Sequence, residues 1–247
     1  MQRPLLGLPT VTCGLLAAAL VSGCATSTRR QMDRTVEEGV RSDSPESRRE
    51  VHAELIRGMI DSGQYYAAIA HVQAQVQQGG PTPQLQLFEA EARRRLGQTT
   101  EAQSIYRELL KSRDYQADAY YGLGLISSKT DLKTGVWQLQ QAVQRRPADP
   151  DMRNDLGYAL ILSRRYREAL NELATAVELE AGRPESKARN NLVLLMLVTG
   201  DEPAVQRLVR ETGMSPETLS GLRRRAQSLA APAKTLPTGT KPSGARS

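Results

Sequence analysis

Residues Pro150 to Arg183 read PDMRNDLGYALILSRRYREALNELATAVELEAGR, and apolar side chains recur in them at spacings of three and four. A polar break, Ser163-Arg164-Arg165, separates two such runs. The pattern predicts two amphipathic helices. Neither could bury its apolar face alone, so we expect them to pack as an antiparallel hairpin. The apolar positions are Leu156, Leu160 and Ile161 in the first run, then Tyr166, Ala169, Leu173, Ala176 and Val177 in the second.

Small residues lie where the two predicted helices would cross, at Gly157 on the first and at Ala169 and Ala176 on the second. A larger side chain there would push the backbones apart. This spacing resembles the tetratricopeptide (TPR) repeat, a helix-turn-helix unit of about 34 residues. The alternative is an unrelated helical hairpin. The positions that match the TPR signature are Leu156, Gly157, Leu160, Tyr166, Ala169, Leu173 and Ala176.

Similar units precede and follow this one, and Gly63 and Gly97 mark two predicted turns 34 residues apart. The low aromatic content, 4%, also suits stacked helices better than a β-sandwich. We therefore predict an all-α, TPR-like right-handed superhelix of about five helical hairpins, closed by a C-terminal capping helix. The predicted hairpins span residues 50–80, 83–115, 117–149, 150–183 and 184–213, and the capping helix spans 214–229.

Two of these units depart from the pattern. Glu89 and Ala90 stand where the second unit should carry Leu-Gly, and Val193 stands where the fifth should carry a glycine. Because Val193 is larger than Gly157, its counterpart one repeat earlier, we expect the last hairpin to splay slightly.

The N-terminus predicts export. Arg3 precedes an apolar run from Leu5 to Val21, which is too short for a membrane span and is typical of a signal peptide. The run ends in LVSGC, which resembles a bacterial lipobox. That resemblance implies cleavage before Cys24 and a diacylglycerol on its thiol. Once residues 1–23 have left, Cys24 is the only cysteine, so it has no disulfide partner. The alternative is an ordinary secretory cleavage site followed by an incidental cysteine.

Ala25 follows the lipobox cysteine. In the sorted lipoproteins that the lipobox resembles, an Asp at this position retains the protein in the inner membrane. Its absence implies the outer membrane of a Gram-negative cell, on the periplasmic face. We expect residues 24–47 to be a lipidated flexible tether, 48–230 the repeat domain, and 231–247 a disordered basic tail.

Composition argues against several function classes. The net charge of +6 is scattered apart from two arginine triplets, at 93–95 and 223–225, so nucleic acid is not an expected partner. His52 and His71 lie on different predicted helices and have no cysteine nearby, so we expect no metal site. The sequence contains no phosphate-binding glycine loop and no catalytic motif. We therefore expect no enzyme activity, no cofactor and no small-molecule substrate.

The first helix of each hairpin should line a concave groove, as in other helical solenoids. Asn side chains can donate and accept hydrogen bonds at once, and Tyr offers a large contact area at low entropic cost. We therefore expect the groove to bind a helix or an extended segment of another protein. The alternative is that each residue is merely solvated. The candidate positions are Ala53, Arg57, Leu87, Glu91, Arg94, Tyr121, Leu125, Asn154, Tyr158, Asn190 and Leu194.

Residues 117–160, together with ESKARNNLVLLMLVTGD at 185–201, resemble the TPR lipoproteins of the Flp pilus (tight adherence) assembly system. This resemblance implies a pilotin-like role at the outer membrane, with the secretin or another pilus assembly component as partner. Alternatives are a pilotin-like TPR lipoprotein of a type IV pilus or type II secretion system, and a periplasmic scaffold for cell-wall enzymes. An enzyme hidden on the repeat surface is a further alternative.

Overall fold

The computed structural model describes residues 44–180 and 186–230. The predicted signal peptide, Cys24, residues 24–43 of the tether and the tail at 231–247 lie outside the described residues. The chain divides into two compact units, Met1–Leu55 and Ile56–Ser247. The described part of the first unit is the beginning of a single helix, α1.

All regular structure among the described residues is helical. Eleven α-helices follow one another: α1 (Pro45–Asp61), α2 (Tyr65–Gly79), α3 (Pro83–Arg95), α4 (Thr99–Leu109), α5 (Gln116–Ser127), α6 (Leu132–Arg145), α7 (Pro150–Leu162), α8 (Tyr166–Leu179), α9 (Lys187–Thr199), α10 (Glu202–Thr212) and α11 (Pro216–Ala230). A short 3₁₀ helix, Arg113–Tyr115, precedes α5. None of the described helices has the length and apolar composition that a membrane span requires.

The helix boundaries follow local sequence signals. Side chains of Thr82, Asp131, Asp149, Ser186 and Asp201 accept a backbone N–H in the first turn of α3, α6, α7, α9 and α10. Pro83 and Pro150 stand at the first helical position, where the missing N–H costs nothing. Ser215 likewise accepts from the Thr218 N–H ahead of α11, at 3.2 Å.

Small residues set the closest helix crossings. A Cβ placed on Gly157 would lie 2.6 Å from Cγ of Leu173, and a Cβ on Gly124 would lie 2.7 Å from Cγ of Leu139. Neither position could hold a larger side chain without moving its buried partner. The prediction that α7 and α8 cross at a glycine is confirmed, and so is the predicted all-α fold of stacked helical hairpins.

The first helices of the hairpins form one row, which we call the inner row: α3, α5, α7 and α9. Helix α3 packs on α5, and α7 packs on α9. Among the described residues, the second helices of successive hairpins make no comparable contacts. The inner row is therefore the more closely spaced side of the Ile56–Ser247 unit, which makes it the concave side.

The last hairpin differs from the others. Helix α9 packs more extensively against α8 and α11 than against α10, its own hairpin partner. Val193 is fully buried at the crossing, whereas Leu208 on α10 is only half-buried. The expected splaying of this hairpin is thus present.

Candidate functional site

A cavity of about 440 Å³ opens on the inner row. It extends from α3 across α5 to the first turn of α7 and reaches Lys187 at the start of α9. Six of the predicted groove positions line it, namely Leu87, Glu91, Arg94, Tyr121, Leu125 and Asn154. The structure thus brings together residues that are up to 67 positions apart in the sequence, because the repeats place equivalent positions side by side.

A chain of hydrogen bonds crosses the floor of the cavity and joins three inner-row helices. The Tyr121 hydroxyl on α5 donates to Asp155 Oδ2 on α7 at 2.6 Å, and Asn154 Nδ2 donates to Asp155 Oδ1 at 2.9 Å. Asn191 on α9 then donates its Nδ2 to Asn154 Oδ1 at 2.8 Å. Burial raises the pKa of Asp155, although the hydrogen bonds from Tyr121 and Asn154 oppose it. Burial and the adjacent Asp155 raise the pKa of Tyr121, so its hydroxyl remains a donor.

Arg94 lines the cavity. Its side chain is only 15% exposed, and Nη2 lies 3.6 Å from Glu91 Oε1. Its Nε is buried and has no hydrogen-bond partner among the described residues. Burial raises the pKa of the adjacent Tyr106 to about 12, with Arg94 acting in the opposite direction. An unsatisfied buried N–H costs about 1–3 kcal/mol, so Arg94 favours a ligand that brings an acceptor oxygen.

A charged pair that the sequence analysis missed forms another wall. Arg146 donates from Nη1 and Nη2 to the two oxygens of Asp118, at 2.8 and 2.6 Å, and lies 3.7 Å from Asp149. The hydrogen bond to Asp118 is the main cause of the raised pKa of Arg146. Asp151 and Lys187 are exposed at the rim. These residues lie just before or at the start of inner-row helices. The prediction of groove positions counted residues within each helix, so it did not include positions at the helix starts.

The other predicted groove positions lie elsewhere. Arg57 is exposed, with its Cζ 5.7 Å from the Phe88 ring centroid. Asn190 lines a separate cavity beside Met214 and Ser215. Leu194 is fully buried, so the expectation that it lines the groove surface is wrong. Asn154 is 3% exposed and both its amide atoms are engaged, so it supports the floor of the cavity rather than offering free groups. Ala53 is also buried.

Tyr158 faces another part of the same chain. The guanidinium of Arg225 on α11 lies over its ring, with Cζ 4.6 Å from the ring centroid, and Arg225 Nη2 donates to the Tyr158 hydroxyl at 2.7 Å. The sequence pattern placed Tyr158 correctly on the inner row. It could not show that a helix from outside the repeats would cover it.

Trp137, the only tryptophan in the sequence, is 52% exposed on α6, a second helix. It packs edge-to-face against Tyr120 at 5.8 Å between ring centroids. Within residues 44–180 and 186–230, no group of three or more His, Cys, Asp or Glu side chains could hold a metal ion.

Comparisons with known proteins agree with this architecture. Residues 132–211 match the tetratricopeptide-repeat family. Over 216 residues the chain is 30% identical to the TPR repeat-containing protein PA4299 of Pseudomonas aeruginosa, a match that covers 86% of this chain and 82% of that protein.

Two solved structures share the fold. TTC0263, a thermophilic TPR protein of Thermus thermophilus, is similar with a TM-score of 0.57 at 17% identity, over 73% of this chain and 97% of that one. Pseudomonas aeruginosa pilF is similar with a TM-score of 0.59 at 14% identity, over 75% of this chain and 88% of that one. At such low identities these likenesses concern the fold alone.

Proposed function

This chain belongs to the tetratricopeptide-repeat family, and on that premise we propose that it is an outer-membrane lipoprotein that binds a protein partner during Flp (tight adherence) pilus biogenesis. Domains of this family mediate protein–protein interactions. The narrower role is supported by the resemblance of residues 117–209 to TadD, the TPR lipoprotein of that system. The expected partner is the secretin or another pilus assembly component, and the expected action is pilotin-like.

The observation that carries the proposal is the cavity on the inner row. Its volume, about 440 Å³, lies within the range of small-ligand pockets and is too small for a whole helix. It therefore suits one or two side chains that project from a segment lying along the groove. Leu87 and Leu125 offer apolar surface, while Arg94 offers a buried donor without an acceptor. A peptide segment supplies both kinds of group.

The rim provides a direct test of this site. Asp151 and Lys187 are exposed, so replacing both by alanine should leave the fold intact. In a pull-down from solubilised outer membranes, this double variant should recover the partner at least about tenfold less well, a loss of roughly 1.4 kcal/mol. The matched control replaces Asp114 and Lys129, which are exposed and do not line the cavity, and should bind normally. Equal recovery by both variants would move the binding surface away from the cavity.

Mass spectrometry of the recovered partner tests the narrower role. A secretin or another Flp assembly component supports the proposal. Peptidoglycan enzymes would instead show a scaffold for cell-wall enzymes, and components of a type IV pilus or type II secretion system would show a pilotin-like protein of that system.

The lipid anchor is tested separately. Cys24 is the expected acylated residue, and three acyl chains, as in mature lipoproteins of this class, would anchor the protein stably. The Cys24→Ser variant should therefore fractionate with the soluble periplasm. Retention of this variant in the outer membrane would contradict the proposed anchor and leave the cavity unaffected as a binding site.

A further inference from the structure

Helix α11 lies beside the inner row rather than along α10, which precedes it in the chain. It packs on α9. Its first turn and that of α9 share a cavity of about 440 Å³, whose lining includes Asn190 on α9 and Thr218 on α11. The two helices therefore begin at the same end of the repeat stack and run side by side in the same direction.

From this position α11 reaches across to the fourth hairpin. Arg225 stacks on the Tyr158 ring and donates to its hydroxyl, at the distances given above. Further along, Leu229 packs against a cluster of buried residues that includes Leu160 and Ile161 of α7. On α9, Leu194 lies one turn beyond Asn190 on the same face and is fully buried. Helix α11 thus covers the part of the inner row where the sequence placed Tyr158, Asn190 and Leu194.

Helix α11 packs along α9, but few of its own side chains are buried. Among its residues only Ala226 is fully buried. Arg223 pairs with Glu202 on α10, with Nη1 3.2 Å from Oε2, and the two side chains remain 43% and 42% exposed. Exposed ion pairs stabilise little, and segments with few buried apolar contacts open more readily than the rest of a structure.

We propose that α11 is a detachable cover, and that the surface beneath it is a docking site for an amphipathic helix of a partner protein that carries a basic residue. The chemistry of the partner follows from the helix already seated there. Helix α11 presents apolar side chains one turn apart at Leu222, Ala226 and Leu229, beside Arg225. The surface offers a complementary apolar position at Leu194 and an aromatic face at Tyr158, which favours a cation.

Hydrogen exchange of the full chain tests whether the cover opens independently. The amides of residues 216–230 should exchange faster than those of α9 in the native protein. Arg225→Ala should accelerate them by a further factor of about three to ten, because it removes one cation–π contact and one hydrogen bond. Arg224→Ala is the matched control, since among the described residues Arg224 bonds to Ser220 on its own helix, and it should change nothing. If α11 is as protected as α9, it is a fixed part of the core and no cover.

A labelled peptide of residues 214–230, added to the full chain, tests the docking surface. The Arg225→Ala protein should bind this peptide about three- to tenfold more tightly than the native protein, because its own α11 competes less well. A peptide that itself carries Arg225→Ala lacks the contacts with Tyr158, so the Arg225→Ala protein should bind it less tightly than it binds the native peptide. Failure of the opened protein to bind either peptide would refute the docking site. Both measurements use the isolated protein, so their outcome is independent of the pilus role.

Discussion

The fourth and fifth hairpins are built on the same repeat but pack differently. In the fourth, α7 crosses α8 at Gly157, and Leu173 of α8 closes over that glycine, fully buried. In the fifth, Val193 takes the place of the glycine and Val209 that of the leucine, and Val209 is left half-buried. Helix α10 accordingly packs less on α9 than α8 does on α7. Helix α9 instead packs extensively against α11. The last repeat therefore ends in a surface that is covered by a helix that does not belong to the repeats.

The largest expected effect concerns the two equivalent positions Leu173 and Val209. Leu173→Ala removes a fully buried side chain and should lower the free energy of unfolding by about 2–5 kcal/mol. Val209→Ala removes a half-buried one and should cost about 1 kcal/mol. Urea denaturation followed by circular dichroism measures both. Equal losses would mean that the fifth hairpin is packed as closely as the fourth.

The crossing itself can be overfilled. Gly157→Leu places new atoms where Leu173 lies, and we expect it to destabilise the fold by about 1–3 kcal/mol. The control is Gly58→Leu, on an exposed face of α1, where a Cβ would meet no atom within 4 Å. That substitution should raise the stability slightly, by about 0.5–1 kcal/mol, because glycine is a poor helix former and leucine a good one. A normal melting temperature for Gly157→Leu would argue against the close crossing.

The sequence predicted this difference between the hairpins because helix crossings depend on the residue at one repeat position. It placed Leu87, Arg94 and Tyr121 on the cavity wall for the same reason. The sequence did not predict the Asp118–Arg146 pair. This contact joins the end of a second helix to the start of an inner-row helix, whereas the prediction counted positions within one helix at a time. The sequence did not predict the burial of Leu194, because an offset within a repeat places a residue on a helix face but does not show what packs on that face.

The hairpins also differ in charge at one equivalent position. Asp155 lies on the inner row of the fourth hairpin, whereas its counterpart in the fifth, Asn191, carries no titratable group. Because the pKa of Asp155 is raised in the folded protein, the folded state binds the proton more strongly than the unfolded chain. The stabilisation due to protonated Asp155 is complete below the ordinary aspartate pKa and is lost as the pH rises through the raised value.

Asp155→Asn tests this difference, because it removes the titration while keeping a side chain that can accept from the Tyr121 hydroxyl. Urea midpoints of the native protein and the variant should be compared from about pH 4 upward. The stability of the native protein relative to the variant should decline as the pH rises. Asn191→Ala, which removes a group that does not titrate, should leave the pH dependence unchanged. Parallel curves for Asp155→Asn and the native protein would show that Asp155 does not couple proton binding to folding.

The smallest expected effect lies in the turns. Gly200 follows α9 with φ of +79°, a left-handed conformation that glycine adopts freely, whereas Arg164 adopts φ of 59° between α7 and α8. A side chain in that region costs about 1–2 kcal/mol, and part of this is offset because glycine gives the unfolded chain more freedom. Arg164→Gly should therefore raise the free energy of unfolding by about 0.5–1 kcal/mol, and Gly200→Ala should lower it by about 1 kcal/mol. Arg164 is exposed, so little packing is lost with its side chain. If Arg164→Gly destabilises the fourth hairpin, the Arg164 side chain must stabilise the turn by more than its left-handed backbone conformation costs.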